Sequence, residues 1–378
     1  MDAWLWYDFQ GQNPIASRLA GLNETTGHLA TRRWFYLIPA TGEPRGLVHA
    51  IERHNLDHLP GPKAAYAGRR QLEDGLKTLL GGLSRVAMEY SPGNSIPYVS
   101  RVDAGTVELV REAGAEVVSS GDLVQRFDGL WDAAGIASHV DASERLYRIK
   151  DQTFAAVADR VRRGVPTTEY DIQQLMVGWF ADEGLVAESA PNVSAQENAG
   201  NPHYLPTADS SRAIGPDELV LIDLWGKRQA PRSVYADITW VAFTGAEVPE
   251  RFARPFAAIV AARDAAVALA QDAASAGRPV RGFELDRAAR QVIEDAGFGD
   301  GILHRTGHSL GEQVHGNGAH LDDYETHDER RLMPGSIFTV EPGVYYPDYG
   351  LRTEINVVWG PAGPSVTGPL QTGIISLG

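Results

Sequence analysis

ELVLIDLWG (218–226) and VYADITWVAF (234–243) are two apolar, β-branched runs, each holding one aspartate, Asp223 and Asp237. Both read as strands, and the residues between them, GKRQAPRS (226–233), have the Gly, Pro and Ser of a turn, so the pair predicts a strand–turn–strand unit. An ionised carboxylate inside an apolar strand is costly unless it is paired or coordinated. The sequence then repeats the construction. SIFTVEPGVYY (336–346) embeds Glu341, LRTEINVVW (351–359) embeds Glu354, and Pro342 and Gly343 mark a bend between them. Four acids so placed demand positive charge, and these strands carry too few basic residues to supply it.

Working outward, HRTGHSLGEQVHGNGAH (304–320) supplies four of the chain's 11 histidines. There is no cysteine, which excludes disulfides, thiolate catalysis and finger-type zinc sites and leaves His, Asp and Glu as strong ligands. Four carboxylates and one neutral imidazole leave a charge that two divalent cations would cancel, with a bridging hydroxide as a further anion. Oxygen-rich ligands with one imidazole suit Mn, Co, Fe or Zn, and the sequence does not choose among them.

The chain around this site is ordinary in composition. Its 378 residues are 43% hydrophobic and 22% charged, enough for two domains. A net charge of −15 with no Lys/Arg stripe argues against nucleic acid as a partner. The start, MDAWLWYDFQGQNP, lacks the pattern of a signal peptide, and no apolar run approaches the roughly 18 residues of a membrane span, so a cytoplasmic location is expected. Residues 1–135 alternate short apolar runs with helical stretches, an α/β pattern. From SHVDASERLYRIKD onward long amphipathic helices take over, with Asp141 and Glu144 spaced like a capping box, so a boundary is expected near 135 to 140. The later part contains a repeated punctuation, Gly164, Pro166 and Gly184 against Gly277, Pro279 and Gly297, offset by 113 residues, which predicts two similar α+β halves.

The order Asp223, Asp237, His308, Glu341, Glu354, carried by HRTGHSLG, TVEPGVY and LRTEINV together, resembles the pita-bread metallopeptidases, the family of methionine aminopeptidase, aminopeptidase P and prolidase. The resemblance covers residues 140–378. Residues 1–135 look like the creatinase-type domain that aminopeptidase P and prolidase carry. The implied fold is an α/β N-terminal creatinase-type domain (1–135) and an α+β pita-bread catalytic domain (136–378) with an internal pseudo-twofold duplication.

The resemblance also implies roles. Asp223, Asp237, His308, Glu341 and Glu354 would hold two divalent metal ions, with Glu341 as the proton acceptor and donor. His315 would stabilise the oxyanion. His304 and His203 would line the cleft with it, and Arg352 would either bind the substrate's carboxylate or pair with the site carboxylates and orient them. Thr239 and Thr353 are candidates to support the ligands, whereas His320 and His327 have no counterpart and are expected to be loop or surface residues. The implied reaction is hydrolysis of the bond preceding proline by a hydroxide bridging two metals. An Xaa-Pro dipeptidase acting on proline-containing dipeptides is the main expectation, and an Xaa-Pro aminopeptidase acting on longer peptides the alternative. A non-catalytic binding module or a metal-free amidine hydrolase would show substitutions among the five ligand positions, and all five are intact. A homodimer is expected. Two departures stand out: the spacers before and after Asp223 are longer than is usual in the family, and Gly316 replaces the glutamate that commonly follows the histidine.

Overall fold

The computed structural model describes residues 1–22 and 30–378. The chain forms two compact units, Met1–Asp128 and Gly129–Gly378.

The first unit is an α/β layer structure. Its elements are β1 (Ala3–Asp8), α1 (Pro14–Leu19), β2 (Trp34–Pro39), β3 (Arg45–His49), β4 (Lys63–Tyr66), α2 (Arg69–Leu80), β5 (Arg85–Met88), α3 (Ala104–Glu112), β6 (Glu116–Ser119) and α4 (Gly121–Asp128). The sheet order is β4-β3-β2-β1-β5-β6, with β2 antiparallel to its neighbours and the other pairs parallel. Alternation in β1 shows why both faces are covered. Ala3, Leu5 and Tyr7 pack with Leu72 and Leu76 of α2 and Val107 and Val110 of α3, while Trp4 and Trp6 pack with Ile15 of α1 and Val124 of α4.

The second unit opens with the 30-residue helix α5 (Ala133–Arg162), whose N-cap is Asp132, accepting from Gly135 N at 2.9 Å. Asp141 and Glu144 therefore lie inside a helix rather than at its start. Asp141 makes an (i, i+4) pair with Arg145 instead. The boundary expected near 135 to 140 falls within this helix, and the two units divide at Asp128 and Gly129.

After α5 come α6 (Glu169–Asp182), β7 (Leu185–Val186), β8 (Asn192–Ala195), β9 (Leu219–Arg228) and β10 (Ala236–Phe243), then α7 (Glu250–Ser275), α8 (Gly282–Asp295) and β11 (Ile337–Val340). The chain ends with β12 (Gly343–Tyr346), β13 (Tyr349–Arg352), β14 (Ile355–Gly360), β15 (Gly363–Thr367) and β16 (Ile375–Ser376). The punctuating glycines 164, 184, 277 and 297 follow the ends of α5, α6, α7 and α8, all with left-handed φ. An antiparallel pair β9/β10 follows the first two helices, and an antiparallel pair β11/β14 follows the second two.

Alternation in β9 and β10 decides where the acids point. Val220, Ile222 and Leu224 join Ile238 and Trp240 against Leu146, Ile149 and Met176 of α5 and α6. Leu219, Leu221, Val241 and Phe243 face the opposite way, onto Phe252, Phe256 and Ile259 of α7. Asp223, Asp237 and Thr239 share that second face by the period of two, with Asp223 directly opposite Thr239.

Candidate metal centre

The two strand pairs meet edge to edge at the acids. Glu354 N donates to Thr239 O at 3.2 Å, and Asp237 N donates to the Asn356 side-chain oxygen at 2.9 Å, which ties β10 to the start of β14. His308 comes from the irregular segment after α8. Its backbone runs beside β11, with Thr339 N donating to His308 O at 2.8 Å and His308 N donating to Thr339 Oγ1 at 2.9 Å. Gly307 permits this approach, since a Cβ there would lie 2.2 Å from Thr339 O.

Ligand-type atoms of Asp237, His308 and Glu354 all lie within 4.8 Å of one another, and all three residues are buried. His308 Nε2 is 3.3 Å from Glu341 Oε1 and 3.7 Å from Asp237 Oδ2. Its other nitrogen, Nδ1, is 3.2 Å from Ser309 O, an atom that can only accept, which places the ring proton on Nδ1 and a lone pair on Nε2. That lone pair faces carboxylate oxygens. Burial, followed by the charges of His315 and Arg305, holds the His308 pKa well below the ordinary range. The carboxylates are shifted the other way. Asp237 and Glu354 are raised well above ordinary values, first by burial and then by their acidic neighbours. Glu341 is pushed up to about 7, chiefly by burial. Asp223 is also raised by burial, against the Arg352 charge.

The chemistry of these residues fits cation binding. Asp223 Oδ1, Asp237 Oδ1 and Glu354 Oε1 are buried acceptors with no hydrogen-bond donor, and the imidazole presents its lone pair toward Asp237 and Glu341. A buried acceptor without a donor is uncommon because it forfeits hydration for nothing. Divalent ions would satisfy the lone pairs and remove the mutual repulsion.

Around the acids runs a directed hydrogen-bond chain. Arg352, 4% exposed, donates from Nε to Thr239 Oγ1 and from Nη1 to Tyr345 OH, both at 2.9 Å, and its Nη2 is bound to Asp223 Oδ2. Thr239 Oγ1 in turn donates to Glu354 Oε2 at 2.7 Å. Tyr345 OH, an acceptor from Arg352, donates to His304 Nε2 at 2.8 Å, so the His304 proton sits on Nδ1, directed at Arg305 O at 2.6 Å. The sequence reading put His304 against the substrate and gave Arg352 two roles, contact with the substrate's carboxylate or a salt bridge that orients the site acids. In the structure three of the five Arg352 N–H groups and both His304 nitrogens are engaged by protein groups. Thr353 accepts from the fully buried Arg263 at 3.1 Å, a contact behind the ligands.

His315 and His203 lie at the open side. His315 stands edge-on to His308, ring centroids 4.3 Å apart, and is drawn down to about 4 by desolvation and the Arg305 and His203 charges. The residue is otherwise exposed. His203 is exposed on a loop that buried Glu169 clamps by accepting from Ala195 N (2.6 Å), Tyr204 OH (2.5 Å) and Arg212 N (3.0 Å).

His320 differs from expectation. It is fully buried, and its Nδ1 accepts from Ser309 N at 3.1 Å, because the segment doubles back on itself through Gly316 N to Ser309 O at 2.7 Å. His327 is half-exposed, bonded to Asp323 at 2.5 Å and stacked on Phe283. At Gly316 a Cβ would meet Leu310 C at 2.9 Å and Gly311 N at 3.0 Å, so this loop closes where a glutamate has no room. Sequence reasoning missed Asn356, Tyr345, Arg263 and Glu169. Only Asn356 had a signal, two residues past Glu354 and so on the same strand face.

Residues 142–360 match metallopeptidase family M24. Over 206 residues, 54% of this chain and 51% of the relative, the sequence is 31% identical to the Xaa-Pro dipeptidase of Lactobacillus delbrueckii subsp. lactis. The match thus spans about half of that relative's length. Among solved structures, dipeptidase PepE from Mycobacterium ulcerans superposes with a TM-score of 0.67 at 23% identity, covering 92% of this chain and 87% of that one. The prolidase from Thermococcus sibiricus gives 0.64 at 18% identity, covering 100% and 94%. At these identities the likeness establishes the pita-bread fold.

Proposed function

Because the chain belongs to metallopeptidase family M24, we propose that it hydrolyses the bond preceding proline in Xaa-Pro dipeptides, with Asp223, Asp237, His308, Glu341 and Glu354 holding two divalent ions. The observation that carries this reading is the set of donorless, buried oxygens on Asp223, Asp237 and Glu354, with Asp237 and Glu354 grouped with a lone-pair-presenting His308. When bound, the ions supply Lewis acidity toward the scissile carbonyl and toward the attacking water. Mn, Co, Fe and Zn all suit the oxygen and imidazole donors. A cytoplasmic homodimer is the assembly this reading carries over from the family.

The chain's own groups do the rest. Glu341 has its Oε1 fixed by the Thr339 hydroxyl at 3.1 Å, and burial raises its affinity for a proton into the neutral range. It takes the proton of the attacking water and returns it to the leaving nitrogen. His315, neutral at pH 7, donates its single N–H to the oxyanion. His203 lines the open side with it. Arg352 and His304 act by position. Arg352 spans Asp223, Thr239 and Tyr345, and the chain it starts fixes the His304 ring. The two remaining Arg352 N–H groups are the ones available to a substrate carboxylate.

The test is a substrate profile on the Mn²⁺-loaded protein with Leu-Pro, Leu-Pro-amide, Leu-Pro-Gly and Met-Ala-Ser. Leu-Pro is expected to be cleaved with the highest kcat/KM. Preferential cleavage of Leu-Pro-Gly would assign an Xaa-Pro aminopeptidase instead, and cleavage of Met-Ala-Ser alone would remove the proline requirement.

A further inference from the structure

The first unit holds a hollow that the metal centre's chemistry does not use. A cavity of about 640 Å³ opens at the carboxyl-terminal ends of β1, β3 and β4, the edge at which open α/β sheets take small molecules, and its size lies within the range of metabolite pockets. In a chain of net charge −15 this hollow is cationic. Arg32, Arg33 and Arg69 line it, and the single carboxylate among its described lining residues is Asp103. That carboxylate is already taken, by Thr106 N at 2.9 Å, Thr106 Oγ1 at 2.8 Å and Tyr7 OH at 3.1 Å.

The arginines are not equivalent. Arg69 pairs with Glu73 at 2.7 Å, and Arg32 turns back on Thr31. Arg33, half-buried, has no carboxylate partner among the described residues. It lines the cavity together with Tyr7 and Tyr66, and Tyr66 OH donates to Arg33 O at 2.8 Å. A second source of positive potential adjoins it. The 12-residue helix α2 begins at the cavity with Gly68 as N-cap; Gln71 Oε1 accepts from Ala67 N at 2.8 Å and Gly68 N at 3.2 Å, and no N-cap side chain is present to take the N–H groups that follow.

We propose that this cavity binds a phosphorylated metabolite of about mononucleotide size. Its phosphate would lie on Arg33 and the start of α2, and a planar ring would lie against Tyr7 and Tyr66. A forked guanidinium and unopposed helix N–H groups together match a tetrahedral dianion. The volume exceeds what a bare anion needs, and the aromatic walls suit a planar body.

The test titrates the whole chain calorimetrically with AMP, inorganic phosphate and adenosine, with and without bound metal. AMP is expected to bind saturably, one per chain, with inorganic phosphate competing more weakly and adenosine not binding. Gly68→Asp is the informative variant. Gly68 has φ −112, and a Cβ there meets nothing within 4 Å, so an aspartate has room to cap α2 and would set a carboxylate where the phosphate would lie. Gly68→Asp and Arg33→Gln should each weaken AMP at least about tenfold, the loss of a charge-assisted contact, with unchanged circular dichroism. Absence of saturable AMP binding, unchanged AMP affinity in both variants, or equal binding of adenosine overturns the proposal. So does AMP binding that disappears with the metal, which would place the nucleotide on the metal centre.

Discussion

Glu89 in the first unit and Glu354 in the second are both buried carboxylates at strand ends, and they are treated in opposite ways. Glu89 is fully buried, yet Trp4 Nε1 donates to it at 2.7 Å, Asn13 Nδ2 at 2.8 Å and Ser120 Oγ at 3.0 Å. Glu354 receives one donor, Thr239, keeps an oxygen without a partner, and sits among Asp223, Asp237 and Glu341. Neutral donors complete the first acid, which then serves the fold. The second is left incomplete toward other acids, an arrangement suited to the cations proposed above. Burial alone therefore does not mark a functional acid. Unsatisfied oxygens that converge do.

The largest expected effect follows from breaking the incomplete side. Asp237→Asn should lower Xaa-Pro hydrolysis by about 10³-fold or more, the several kcal/mol that metal-ion catalysis contributes. Elemental analysis should show metal lost in parallel, while the metal-free variant melts no lower than the metal-free parent, since a like charge has been removed. His315→Ala should lower kcat by about 10²–10³-fold, as for loss of one oxyanion donor, with metal content retained. Metal loss in that variant would make His315 a ligand.

The complete side predicts the reverse pattern. Glu89→Ala strands three donors and should cost about 2–4 kcal/mol in denaturant unfolding, with kcat/KM for Leu-Pro unchanged. Its pH dependence has a definite sign. Burial raises the folded Glu89 pKa above the ordinary 4.5, so its contribution is fully present below that value and is lost as pH rises through the raised pKa. Glu89→Gln should flatten this part of the stability–pH curve. The smallest effect is expected at Thr239→Val, which removes the donor to Glu354 and the acceptor for Arg352. It should weaken metal binding about 10–100-fold without abolishing turnover at saturating metal.

What could be read from sequence has a physical pattern. The acids were legible because a strand's period of two and its apolar neighbours betray a carboxylate facing inward, and His308 because a glycine beside it lets the backbone approach. The α/β texture of the first unit was legible for the same reason. Partners distant in sequence were not. Arg263 reaches Thr353 across 90 residues and Asn356 reaches Asp237 across 119; no local pattern announces such contacts. The capping box at Asp141 misled because a cap motif and an exposed (i, i+4) helix pair use the same residue types. His320 misled because polarity in a glycine-rich stretch resembles a loop, whereas this segment folds back and buries the ring.

The central claim is that the second unit's acids form a two-cation site, and calorimetric titration of Mn²⁺ into the metal-free chain near pH 7 tests it most directly. Two ions per chain are expected, with a net release of protons to the buffer, because burial pushes the Glu341 carboxyl up to about 7, so that near pH 7 it retains part of a proton that cations displace. Binding of no ion, or binding that persists unchanged in Asp237→Asn and releases no proton, would contradict it.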